Sequence, residues 1–153
     1  MDSDKIDAIH RGGCVCGAII LRTTGQPLRV GLCHCLDCRK AHAAAFAAFV
    51  VFPPESVSIT DADGSELTAG TLGVYDNGRG YRRHFCRSCG SRIYGTDDVS
   101  AALELHLGLF DETNLWAPTY EIWIKRREGW LKELDSIANR YEEDAAREGL
   151  SIG

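Results

Sequence analysis

Seven cysteines in this chain fall into three tight clusters: Gly12-Gly13-Cys14-Val15-Cys16-Gly17, Cys33-His34-Cys35-Leu36-Asp37-Cys38-Arg39-Lys40 and Phe85-Cys86-Arg87-Ser88-Cys89-Gly90. On extended backbone, Cys-x-Cys points both side chains to the same side, because the strand period is two. Cys-x2-Cys does the same through a tight turn. Glycine follows Cys16 and Cys89, and it permits the positive φ that such turns require. Two pairs supply four thiolates, enough for a closed tetrahedral zinc site. The odd cysteine count argues against a secreted disulfide framework. In a reducing compartment, clustered cysteines hold metal or carry redox chemistry.

The middle cluster offers three thiolates within six residues. Catalytic zinc sites commonly have three protein ligands and leave a fourth position to water or substrate. Three thiolates make the ion electron-rich and a poor Lewis acid, better suited to holding another sulfur anion than to generating hydroxide. Zinc's preference for thiolates selects a thiol over an alcohol. Arg39 and Lys40 place positive charge beside Cys33, Cys35 and Cys38, where they are candidates for binding substrate carboxylates. An open thiolate site oxidises more readily than a closed one, so a second metal here is expected to be labile. Spacing alone leaves the partition open. Cys14 and Cys16 can pair with Cys86 and Cys89, the arrangement preferred here, or with two of Cys33, Cys35 and Cys38. The ordinary alternatives are buried free thiols, a disulfide, or a redox pair at Cys35 and Cys38. On extended backbone His34 points away from its neighbouring cysteines, which suits a structural role. His42, just past Cys38, is the candidate for a fourth ligand or proton relay. His84 and His106 sit in strand patterns and read as packing residues.

The chain has 153 residues, 44% of them hydrophobic, which suits one domain over 1–153 with a core of its own. Its net charge of -5 argues against a nucleic-acid partner, which needs a basic footprint. The longest apolar stretch, Ala43 to Phe52, is too short to span a bilayer, and the polar N-terminus lacks a signal core. A cytoplasmic protein with no membrane partner is expected. Residues 1–11 read as a polar lead-in. Strands are expected over Ala18–Thr23, Leu28–Cys33, Val57–Thr60, Arg92–Tyr94, Leu103–Leu109 and Tyr120–Lys125. A helical turn after Cys38 should lead into a strand ending at Phe52. Asp76-Asn77-Gly78-Arg79-Gly80 reads as a hairpin loop between Leu72–Tyr75 and Tyr81–Phe85. Trp130, Leu134, Ile137, Ala138, Tyr141 and Ala145 recur at helical spacing, which predicts an amphipathic helix over 130–147. Trp116, Trp123 and Trp130 read as core residues. The architecture is therefore mainly β with short helices.

The ordered motifs GGCxCG, CHCxxCRK and FCxxCGSRIY, with the trailing Glu121-Ile122-Trp123 and Trp130, resemble the glutathione-dependent formaldehyde-activating enzyme family, related to centromere protein V. The resemblance covers about residues 12–130, leaving 131–153 as a helical extension. It implies an Mss4-like fold of coiled β-sheets. It implies a structural zinc on Cys14, Cys16, Cys86 and Cys89, and a catalytic zinc on Cys33, Cys35 and Cys38. It also implies a reversible carbon–sulfur lyase that joins a thiol such as glutathione to a small aldehyde such as formaldehyde. The alternative is a zinc-stabilised binding module without catalysis. One departure is visible: family members usually carry glycine a few residues after CRK, where this chain has Ala41-His42-Ala43-Ala44.

Overall fold

The computed structural model describes residues 8–144. The chain divides into two compact units. One contains the described residues up to Pro27 together with Val51–Thr113. The other contains Leu28–Val50 and the described residues from Asn114 onward.

In the first unit, β1 (Ile9–Gly13), β2 (Ile19–Thr24) and β5 (Val57–Asp61) form an antiparallel sheet in the order β1-β2-β5. Strand β2 shows the alternation of a half-buried strand, with Ile19, Leu21 and Thr23 inside and Arg22 and Thr24 outside. A second run, β6 (Leu72–Asp76), β7 (Tyr81–Cys86), β8 (Arg92–Asp97) and β9 (Leu103–His106), is an antiparallel meander. The β6–β7 loop is held by its own side chains. The Asp76 carboxylate accepts from the Gly78 amide, and the Asn77 side-chain oxygen accepts from the Arg79 and Tyr81 amides. Ile93 and Leu105 are fully buried in this unit.

In the second unit, β3 (Arg29–Cys33) and β10 (Tyr120–Ile122) run parallel, with Gly31, Leu32 and Cys33 opposite Tyr120, Glu121 and Ile122. Strand β4 (Ala47–Phe52), whose residues up to Val50 belong to this unit, lies beside β3, and the short β11 (Asn139–Arg140) pairs with the other edge of β10. Between β3 and β4 lies the only α-helix among the described residues, α1 (Leu36–His42).

Most of the expected strands are present, with four differences. The supposed polar lead-in contains β1, whose Ile9–Gly13 pair residue by residue with Thr24–Ile20 of β2. The expected strand over Leu103–Leu109 ends at His106 and becomes a 3-10 turn over Leu107–Leu109. That over Tyr120–Lys125 ends at Ile122. The predicted helix over 130–147 does not form across the described residues 130–144. The backbone there is spent on β10 instead. Ala138 and Tyr141 donate to the carbonyls of Thr119 and Glu121, and Trp123 and Ile124 donate to those of Glu143 and Tyr141. Sheet-edge pairing overrides a helical periodicity with too little apolar surface to bury. Residues 145–147 of that expectation lie outside the described residues. Trp130 is likewise no core residue, being 71% exposed.

Candidate metal centres

The first unit brings Cys14, Cys16, Cys86 and Cys89 together, with all four sulfurs within 4.8 Å of one another. Each pair is held in a knuckle of backbone hydrogen bonds. The Gly17 amide donates to the Cys14 carbonyl at 3.0 Å, and the Gly90 amide to the Cys86 carbonyl at 2.8 Å. Both glycines take the expected positive φ, 79° and 77°. Ser91 ties the knuckles together: its hydroxyl accepts from the Val15 amide at 3.1 Å and lies 3.2 Å from the Cys89 sulfur.

The geometry fits a tetrahedral ion. Zn–S bonds near 2.3 Å place sulfurs about 3.8 Å apart. Cys14 and Cys16 are separated by 3.5 Å and Cys16 and Cys86 by 3.7 Å. All seven cysteines are free thiols. The Ser91 hydroxyl, chiefly, lowers the Cys89 pKa to about 6. Cys16 moves the other way, to about 12: the Ala18 amide pulls it down, but the thiols of Cys14, Cys89 and Cys86 outweigh it. Four sulfurs this close do not all ionise without a cation among them.

The second unit gathers Cys33, Cys35 and Cys38, again with all sulfurs within 4.8 Å. Cys33 ends β3, Cys35 precedes α1, and Cys38 lies in its first turn. The Cys35 sulfur accepts from the Cys38 amide at 3.3 Å. Hydrogen bonds from the Cys33 and Cys38 thiols, and then from backbone amides, hold Cys35 well below the ordinary thiol range. The same contacts, with burial, push Cys33 up. The donor set is three soft sulfurs with one readily formed thiolate, which suits zinc better than a hard cation.

Helix α1 ends on Ala43 in the left-handed region, φ 49°. This is where a glycine is most at home. Ala43→Gly is therefore expected to stabilise the protein. Relief of left-handed strain of about 1–2 kcal/mol outweighs an entropic cost of about 0.4–1 kcal/mol. A rise in Tm of about 2–4 °C in a thermal melt is the expected result, and a fall would contradict it.

The other predicted residues are placed as follows. Arg39 donates to the Arg126 carbonyl at 2.7 Å and pairs with Glu128, tying α1 to the segment after β10. Lys40 lines an open cleft of about 720 Å³ beside α1, with Arg39, Arg126, Glu128, Trp130 and Ala43–Ala45. His42 ends α1 half-buried and is not part of the sulfur cluster. His34 is 1% exposed and points away from the cysteines, its Nε2 lying 2.8 Å from Glu121 Oε2. Sequence reasoning quoted Glu121 only within the trailing motif, gave it no role, and missed Arg126 and Arg127. A glutamate beside apolar β residues was the available signal for the first.

A small, mainly β protein with two cysteine clusters placed to bind metal is the class defined by this fold and these sites. The profile of the glutathione-dependent formaldehyde-activating enzyme family matches residues 9–126, and the chain belongs to that family. It is 29% identical over 85 residues to an uncharacterized lyase of Schizosaccharomyces pombe, a match covering 56% of each chain. It is 31% identical over 84 residues to a Fusarium vanettenii protein provisionally named a glutathione-dependent formaldehyde-activating enzyme, covering 54% of this chain and 42% of the other. The chain thus matches about half the length of these relatives. A crystal structure of a Rhodobacter sphaeroides protein shares the fold, with a TM-score of 0.53 and 19% identity over 69% of this chain and 91% of that one. Among the described residues no helix is long and apolar enough to cross a membrane.

Proposed function

We propose that this protein is a zinc-dependent carbon–sulfur lyase that adds a glutathione-like thiol reversibly to a small aldehyde such as formaldehyde. The observation that carries the reading is the cluster of Cys33, Cys35 and Cys38, three thiolates for an ion that takes four ligands. Family membership supports it. Cys14, Cys16, Cys86 and Cys89 are proposed to hold a second, structural zinc. A zinc on the three-cysteine site supplies a position for the substrate sulfur and lowers its pKa.

The chain's own residues bind and orient. Lys40 and Arg126 line the cleft beside α1. They suit the carboxylates of an acidic thiol. Arg39, held by Glu128 and the Arg126 carbonyl, shapes the wall between them. In the reaction the thiol loses its proton and its sulfur forms a bond to the carbonyl carbon. The carbonyl oxygen takes up a proton and becomes a hydroxyl; the reverse step breaks the same bond. Thiols add to formaldehyde unaided, so proximity supplies much of the benefit.

Anomalous scattering at the zinc edge, with and without glutathione, tests the reading. Two metals are expected, with a thiol sulfur on the three-cysteine site only when glutathione is present. A single metal on the four-cysteine site would support the binding-module alternative. Lys40→Ala is expected to raise KM for glutathione about two- to five-fold with kcat little changed, the size of an exposed ion pair. An unchanged KM removes Lys40 from the substrate site.

A further inference from the structure

Glu121 and His34 are each 1% exposed, yet neither is a proposed metal ligand. A carboxylate this deeply buried is costly unless it is paired and hydrogen-bonded. Glu121 is paired on every side. Its Oε2 lies 2.8 Å from His34 Nε2, and its Oε1 accepts from Arg140 Nε at 3.0 Å. Arg127 Nε lies 3.4 Å from Oε2, close enough for Coulomb attraction but without hydrogen-bond alignment. Two guanidinium groups already balance the carboxylate, so neutralising it does not require the imidazole.

The sheet register explains what the imidazole does. Glu121 stands opposite Leu32 on β3 and Arg140 on β11. The His34 amide continues the β3–β10 pairing by donating to the Ile122 carbonyl at 3.1 Å. With a period of two, Leu32 and His34 share the face that carries Glu121, and Cys33 and Cys35 take the other. Trp123, directly after β10, is a non-glycine residue at φ 59°. Such a conformation persists only where the surroundings over-determine it. Here the Trp123 amide is bonded to the Glu143 carbonyl, which anchors the end of the strand.

We propose that Glu121 and His34 are a positioning pair for the three-cysteine site. By fastening the one side chain between Cys33 and Cys35 into the interior, they set the direction in which both sulfurs project. Groups that orient metal ligands commonly affect affinity by about 10–100-fold when removed. This inference rests on the reading that Cys33, Cys35 and Cys38 hold a metal.

The test is zinc release from the full-length, zinc-loaded protein to a chromophoric chelator, with the visible spectrum of the cobalt-substituted form as a second readout. Wild type should release two zincs of different affinity. In Glu121→Gln and His34→Ala the weaker zinc should bind about 10–100-fold less tightly. The cobalt bands of that site should shift, and the tighter zinc should be unchanged. His34→Gln, whose amide can still donate to Glu121, should recover most of the affinity. If Glu121→Gln loses the tighter zinc as well, it has misfolded, and the His34 variants decide, because Glu121 there keeps both arginines. Wild-type affinity and spectrum in His34→Ala would overturn the positioning pair. A wild type that releases only one zinc instead overturns the metal reading beneath it, a result visible before any variant is compared.

Discussion

Cys35→Ser is expected to reduce the zinc content from two per chain to one and to lower lyase turnover by about 100-fold or more, while the fold survives. The effect is large because the Cys33 and Cys38 thiols, and the amides behind it, hold the Cys35 sulfur well below the ordinary thiol range, so that it ionises readily. A serine hydroxyl at that position is not a soft anionic ligand, and zinc then has only two thiolates. The fold should hold because serine can accept the Cys38 amide bond that Cys35 now accepts, and serine is a preferred residue at a helix N-cap. Removal of one preorganised group that stabilises charge typically costs a factor of about 10²–10³. The uncatalysed addition of thiol to aldehyde sets the floor. Metal analysis and steady-state kinetics on the same preparation check the result. Full turnover with full zinc content in this variant would falsify the proposed mechanism.

Cys86→Ser should act on folding instead. Cys86 is fully buried, at the end of β7, and its sulfur lies 3.7 Å from that of Cys16. A structural zinc of this kind contributes on the order of 10–16 kcal/mol at neutral pH. The whole stability of a domain is about 5–15 kcal/mol. Loss of one ligand from a closed site therefore removes a large part of what keeps the first unit folded. The variant is expected to lose its cooperative thermal transition and to become sensitive to protease at room temperature. Prolonged treatment of the wild type with a strong chelator should do the same. A melt within a few degrees of wild type would show that these four cysteines hold no structural metal.

These two variants separate the two centres. One should be folded and inactive, the other unfolded. The physical basis is closure: four protein ligands complete a tetrahedron and make the metal part of the fold, whereas three leave it exchangeable.

Much of this is legible in the sequence. The Cys-x-Cys and Cys-x2-Cys spacings, with glycine after Cys16 and Cys89, define knuckles whose geometry is local. The direction of His34, away from its neighbouring cysteines, followed from strand period alone. The C-terminal segment was misread because Trp130, Leu134, Ile137 and Tyr141 do recur at helical spacing. Only Ile137 among the four is deeply buried, and the backbone found partners on β10 that a local pattern cannot reveal. Strand β1 was missed because Ile9–Gly13 is short and polar, with its pairing supplied by distant partners, β2 and the bridge from Gly12 to Phe110.

The sequence by itself determined which sulfurs could act in pairs and that a third group stood apart, because ligand chemistry and turn geometry are fixed over a few residues. Only the tertiary structure decided the partition. Cys14 and Cys16 lie about seventy residues from Cys86, and spacing allowed them other partners. The folded first unit brings those four sulfurs together, and the second unit gathers Cys33, Cys35 and Cys38 separately. The same holds for Glu121. Its place against His34 is set by the parallel register of β3 and β10, a long-range pairing that no local pattern of residues encodes.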